Sequence, residues 1–208
     1  MEAFEFAQPA SAREVVKLLA AKPEGSEVLA GGSDLLARMK DSISKPTRVV
    51  GLRNAHDLGG VSYHPAQGLR IGAMVTLDEL GTNAEVKRHY PGLVQAAENA
   101  ASPQIRNIGT VGGNLCQRPR CWYYRAGFGL LAMQDGKSLI PNGDNRYHAI
   151  LGNAGPAYFV CPSNLAPALV ALGAKARILG PAGAREAPVS GLYVTPQSET
   201  ESELSGRE

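Results

Sequence analysis

The sequence predicts an α+β fold, and three observations carry that prediction. Runs such as Phe4-Glu5-Phe6 and Leu69-Arg70-Ile71 alternate as strands do. Ala12, Val15, Val16 and Leu19 instead fall at i, i+3, i+4 and i+7, the spacing of one helical face. Between such elements lie two turns with unusually bare backbone. One is Leu29-Ala30-Gly31-Gly32-Ser33-Asp34-Leu35-Leu36; the other, about 80 residues later, is Gly109-Thr110-Val111-Gly112-Gly113-Asn114.

Taken in order, the chain opens with the strand at Phe4–Phe6. Ser11 and Glu14 have capping-box spacing ahead of a helix that stops near Lys22-Pro23. Val28-Leu29 is a brief strand into the first glycine turn. Asp34 to Lys40 then reads as a short helix with Leu35, Leu36 and Met39 inward. Thr47 to Leu52 is a strand, and Val61 to Met74 holds a hairpin turning at Pro65-Ala66-Gln67-Gly68. Thr76 and Glu79 repeat the capping-box spacing before Leu77 and Leu80. A helix from Pro91 to Ala101 delivers the chain into the second glycine turn. Cys116 to Asn145 reads as an irregular, aromatic-rich insertion. His148–Leu151 and Ala157–Val160 are expected strands. Ser163 should cap a helix carrying Leu165, Ala168, Leu169 and Leu172, and Lys175–Leu179 a last strand. The division that follows is 1–55 and 56–195, with 196–208 a polar, acidic tail or the point where a longer chain was cut.

Composition narrows the function. The 208 residues carry 21 Lys+Arg against 19 Asp+Glu, so the +2 charge gives no electrostatic case for nucleic acid or an acidic membrane surface. Arg118, Arg120 and Arg125 cluster, but a basic stripe of that size is commonplace. No apolar run has transmembrane length, and MEAFEFAQPAS has no basic segment followed by an apolar one, so neither membrane insertion nor a secretory signal is expected. Three cysteines, Cys116, Cys121 and Cys161, are too few for a disulfide framework and too scattered for a four-ligand metal site. A reducing cytoplasm is the expected setting. The four histidines show no metal-binding spacing, and no serine sits in a nucleophile elbow. No catalytic side chain and no metal ligand is assigned, so a cofactor would have to do the reacting.

A strand, a glycine turn and a helix N-terminus together suit an anion, because orphan amides and the helix dipole point the same way. Either glycine stretch alone could be only a tight turn with Ser33 or Asp34 as cap. Together they point to a dinucleotide gripped from two sides. Gly127-Phe128-Gly129-Leu130-Leu131-Ala132 matches a dinucleotide fingerprint by letters but has no preceding strand. Gly136-Lys137-Ser138 lacks the earlier glycine of a phosphate loop, since Leu131 stands there.

LAGGSDLLARMK followed by ASPQIRNIGTVGGNL resembles the FAD-binding subunits of the xanthine dehydrogenase and carbon monoxide dehydrogenase family of molybdenum hydroxylases. The resemblance covers roughly residues 1–195. CQRPRCWYYR, DNRYHAILG and PSNLAPALVALGA look most like the branch related to periplasmic aldehyde oxidoreductase and 4-hydroxybenzoyl-CoA reductase. It implies a flavin domain of the vanillyl-alcohol-oxidase or p-cresol-methylhydroxylase type, built of two α/β subdomains with FAD between them, and a heteromeric complex with a molybdenum-cofactor large subunit and a 2Fe–2S small subunit. Electrons would pass from the iron–sulfur clusters to FAD and on to an external acceptor. Export with a partner would move the chain to the periplasm. Leu29, Ala30, Gly31, Gly32, Ser33, Asp34 and Leu35 would wrap the FAD pyrophosphate. Ala101, Thr110, Gly113, Asn114 and Leu115 would line the other side, and Ser163 and Asn164 match the family's Ser-Asp pair with the aspartate replaced.

Two departures follow from the same resemblance. Some relatives hold a 4Fe–4S cluster whose first ligand matches Cys121. Arg125 to Asn145 holds no cysteine and Ala157 stands where the closing cysteine would be, so no cluster is expected. Family members also continue for about another 100 residues, a small domain's length, so the C-terminal flavoprotein domain is expected to be missing here. A stand-alone flavin oxidase and a cofactor-free assembly subunit are the rival readings.

Overall fold

In the computed structural model, which describes residues 1–151, 155–158 and 161–198, the chain opens with β1 (Glu5–Ala7), α1 (Ala12–Ala21), β2 (Ser26–Leu29), α2 (Leu35–Lys40) and β3 (Arg48–Gly51). The strands form a parallel sheet in the order β1-β3-β2, with Glu5 opposite Arg48 and Leu29 opposite Gly51. Parallel neighbours need crossovers, which α1 and α2 supply. The central strand β3 is buried on both faces. Val50 packs with Val15 of α1, and Val49 packs with Leu35 and Met39 of α2.

The chain continues through an antiparallel hairpin, β4 (Val61–His64) and β5 (Gly68–Ile71), with Val61 opposite Ile71. Helices α3 (Leu77–Thr82), α4 (Ala84–His89), α5 (Pro91–Glu98), α6 (Pro103–Arg106), α7 (Val111–Leu115) and α8 (Trp122–Arg125) follow. A small hairpin, β6 (Met133–Gln134) and β7 (Lys137–Ser138), precedes α9 (Leu165–Ala171) and a second hairpin, β8 (Lys175–Gly180) with β9 (Gly183–Pro188). The largest core joins Leu77 and Leu80 of α3, Leu93 and Ala97 of α5, Val111 of α7 and Leu165 of α9. Leu80 and Leu165 are wholly buried, and each such leucine stabilises the fold by about 1.5–3 kcal/mol. No helix among the described residues is long and apolar enough to cross a membrane.

Several expectations need correction. Leu36 faces outward at 39% exposure, and Arg38 takes the inward place because its guanidinium is bonded to Glu27. Ser11 accepts from the Glu14 N–H, but the Glu14 carboxylate accepts from Ala10 rather than Ser11, so only half a capping box forms. The full box appears at Thr76 and Glu79. The helix expected to reach Ala101 stops at Glu98, and Ala101 itself adopts φ 47°, which ends helical geometry.

His148–Leu151 is not a strand: among the described residues no strand pairs with it, and Ile150 and Leu151 are 90% and 84% exposed. Ala157 and Tyr158 are not in a strand either, and residues 159 and 160 lie outside the described residues. Leu172 is exposed beyond the end of α9. The strand expected to be last is followed by β9 across a turn with Gly183 at φ 117°. Within the supposedly irregular insertion lie α8 and the β6–β7 hairpin, whose Asp135-Gly136 turn has both residues at positive φ.

Candidate functional site

The two glycine turns meet backbone to backbone. A side chain on Gly31 would run into the carbonyl group of Ile108, so only glycine lets the first turn reach the second. The turn after β2 then bends through Gly32 at φ 80° into α2. Among the described residues, none accepts a hydrogen bond from the backbone N–H groups of Ala30, Gly31, Gly32, Ser33 and Asp34. Asp34 holds the cap position of α2, but its side chain makes no cap hydrogen bond.

The second turn is built differently. The N–H groups of Val111 and Gly112 donate to Val75 and Ala73, each at 2.8 Å, and Thr110 Oγ1 accepts from Gly113 at 3.1 Å. Two of its amides thus fix the loop against Ala73 and Val75, and that of Gly113 closes the turn on itself. Gly112 is needed for contact with Ala73, where an added Cβ would lie 3.0 Å from the Ala73 Cβ. The bareness of this turn serves packing, whereas that of the first leaves donors open.

Between the turns lies an open cleft of about 670 Å³, within the size range of cofactor sites. Ala30, Gly31, Gly32, Ser33, Asp34, Leu35, Ala101, Thr110, Gly113, Asn114 and Asn164 line it. Leu29, Leu115 and Ser163 do not. The Leu29 carbonyl accepts from Leu52, and the Leu115 carbonyl accepts from the Tyr193 hydroxyl. Ser163, 4% exposed, donates to Asn114 Oδ1 at 2.7 Å and accepts from the Ala166 N–H at 3.0 Å. It thus ties α9 to the second turn. Asn114 Oδ1 also accepts from Leu165, so its carbonyl faces α9.

Sequence reasoning missed a polar network along one wall. Arg38 grips Glu27 with two hydrogen bonds, at 3.1 and 2.9 Å, and donates to Asp34 at 3.2 Å. Asp34 also accepts from the Arg125 guanidinium at 2.7 Å and from the Arg118 N–H at 3.2 Å. Arg118 and Arg125 both lie against the ring of Tyr124. Burial pushes the Asp34 carboxyl up, but Arg125 outweighs it and holds the group below its ordinary range. Glu27 is likewise lowered, because Arg38 and Ser44 overcome the burial that opposes ionisation. The basic stripe after the second turn was visible in the sequence. Its carboxylate partner, 84–91 residues away, was not.

Beyond the end of the insertion, His148 reaches back so that its Nε2 lies 3.0 Å from Cys121 Sγ. Ala157 is buried among Leu131, Ala132 and Ile140, with Cys121 packed alongside. No three His, Cys, Asp or Glu side chains gather as a metal site among the described residues.

A family model described as the FAD binding domain in molybdopterin dehydrogenase matches residues 2–204. The chain belongs to this family. It is 33% identical over 193 residues to the FAD-binding subunit of an Escherichia coli (strain K12) aldehyde oxidoreductase, covering 88% of this chain and 58% of that one. Over 116 residues it is 35% identical to a xanthine dehydrogenase FAD-binding subunit of Escherichia coli O157:H7, covering 54% and 39%. Reconstituted CO dehydrogenase from Oligotropha carboxidovorans superposes with a TM-score of 0.68 at 25% identity, covering 97% of this chain and 56% of that one. The carbon monoxide dehydrogenase of Hydrogenophaga pseudoflava has the same fold, with a TM-score of 0.70 at 24% identity and the same coverage. The chain thus spans less than two-thirds of each relative's length.

FAD is the family's cofactor, and the residues present fit it. Five open amides in succession form a donor nest suited to phosphate oxygens. The cleft wall is rich in glycine, with Gly31, Gly32, Gly109, Gly112 and Gly113 lining it, so a ligand can come close to the backbone.

Proposed function

We propose that this FAD-binding domain acts as the electron-transfer module of a molybdenum hydroxylase, working with a molybdenum-cofactor large subunit and a 2Fe–2S small subunit. The observation that carries the reading is the open run of amides from Ala30 to Asp34, facing a cleft whose other wall is the second glycine turn. FAD supplies the redox chemistry when bound. The chain's own residues bind, orient and shield it, and none acts as acid or base. Residues 1–55 and 56–195 form the two subdomains that flank it, in a reducing cytoplasm. Leu29, Leu115 and Ser163 support the cleft from behind, and the other assigned residues contact the cofactor. The chain works without a 4Fe–4S cluster, with Ala157 filling apolar space beside Cys121.

The test is the visible spectrum of the purified protein, with acid release of flavin and an iron assay. Close to one FAD per chain without iron is the expected result. A folded but colourless protein that takes up no added FAD would replace this reading with a cofactor-free assembly role. Stoichiometric iron in the isolated chain would overturn the absence of a cluster. Co-purification with molybdenum and 2Fe–2S subunits tests the partners.

A further inference from the structure

We propose that Cys121 and His148 form a thiol–imidazole pair that reacts with peroxide and leaves a sulfenic acid on Cys121. The pair is separate from the flavin cleft, and the inference does not depend on the flavin reading. His148 Nε2 and Cys121 Sγ are 3.0 Å apart, within the reach at which a base takes the proton of a nucleophile. The imidazole is held in place from several directions. Rings of Trp122 and Tyr123 flank it, with centroids 6.0 and 6.1 Å from its own. Its backbone N–H donates to the Asn145 carbonyl at 2.9 Å.

Two further observations set the pair apart from a histidine that merely packs. His148 is 9% exposed, and its Nδ1 is buried with no hydrogen-bond partner among the described residues. A histidine placed only to hold a loop would be expected to satisfy both nitrogens. Redox or catalytic use is one of the few roles that account for a buried polar atom left unpaired. The sulfur, for its part, is half-buried rather than sealed, and it packs beside Leu131, Ala132, Ile140 and Ala157. Apolar surroundings with a narrow approach admit a small uncharged oxidant and disfavour a bulky or charged one. Hydrogen peroxide fits that description.

The step balances without a further reactant. The sulfur attacks one peroxide oxygen with its electron pair, so an S–O bond forms and the O–O bond breaks. His148 takes the thiol proton and passes it to the departing hydroxide, which leaves as water. Sulfur is oxidised and peroxide reduced: a thiol and hydrogen peroxide become a sulfenic acid and water. The oxidised sulfur would lie one short helix from the cleft wall, because α8 joins Cys121 to Arg125, which holds Asp34.

The experiment exposes the full chain, first reduced, to hydrogen peroxide with dimedone present to trap sulfenic acid, and maps the labelled peptides. Cys121 should be labelled first, although Cys116 and Cys161 are the more exposed thiols. His148→Gln should slow the labelling of Cys121 on the order of 100-fold, while Cys116 and Cys161 keep their rates. Were His148 only a prop for the insertion, its loss would uncover the sulfur and speed the labelling instead. His148→Asn repeats the test if His148→Gln does not fold, and the order of labelling in the wild type needs no variant. Labelling of Cys116 or Cys161 ahead of Cys121 would overturn the proposal, as would a Cys121 rate that is unchanged or raised in the variant.

Discussion

Gly31 and Asp34 are three residues apart, yet sequence logic reaches them unequally. Gly31 was legible because a glycine pair between a strand and a helix implies backbone that must approach something. What it approaches here is the Ile108 carbonyl, so Gly31→Ala should push the two turns apart. We expect a loss of more than about 2 kcal/mol in urea unfolding, in the tail of single-site effects, and at least a 10-fold weaker FAD affinity on that basis. Asp34 was expected beside cofactor oxygens. Its carboxylate instead serves Arg38, Arg125 and the Arg118 amide. Asp34→Asn should cost about 2 kcal/mol, less than for a fully buried pair because the cleft admits water. Asp34 and Glu27 both titrate below their ordinary values of 3.8 and 4.5. The stability they contribute is therefore present at neutral pH and lost as pH falls through the lowered folded values. Urea midpoints should drop between about pH 5 and 3, and Asp34→Asn should drop less.

Among the elements, α3 shows how far neighbours in sequence can specify a structure. Thr76 and Glu79 satisfy each other's backbone three residues apart, with 3.1 and 2.7 Å hydrogen bonds. Thr76→Ala should destabilise α3 by about 1 kcal/mol, measured as a lowered thermal midpoint. The elements that were read badly depend on distant partners. Ile150 and Leu151 have strand-like composition but, among the described residues, no strand beside them, so propensity had nothing to pair with. Strand β9 was missed for the opposite reason. Gly183-Ala184-Arg185-Glu186 has little apolar character, and it is a strand because β8 lies beside it, with Arg177 opposite Glu186. The Arg38 side of α2 was misassigned because its burial depends on Glu27 of β2.

Across the whole molecule, apolar packing is uneven. The largest core draws on α3, α5, α7 and α9 together, whereas the insertion from Cys116 to Asn145 rests on a small cluster around Leu131, Ala132 and Ile140. Amides of the insertion should therefore exchange with solvent faster than those of α3 and α5, as measured by native-state hydrogen exchange. Equal protection in both regions would refute this. The overall α+β architecture was legible because both periodicities were present. The exact path of the insertion was not, since it depends on contacts such as Trp122 Nε1 to the Asp144 carbonyl at 2.9 Å, which leave no periodic trace.

The meeting of Gly31 with Ile108 joins two stretches of chain that are remote in sequence, and the cleft opens at that seam. A dinucleotide seated there acts as a clasp: it can bind only while the seam is closed. Its binding energy then adds directly to the resistance of the whole chain to unfolding. With FAD at 100 times its dissociation constant, that addition is about 2.7 kcal/mol. The melting temperature should accordingly climb with FAD concentration, and should stay flat in Gly31→Ala, where the clasp has nothing to close.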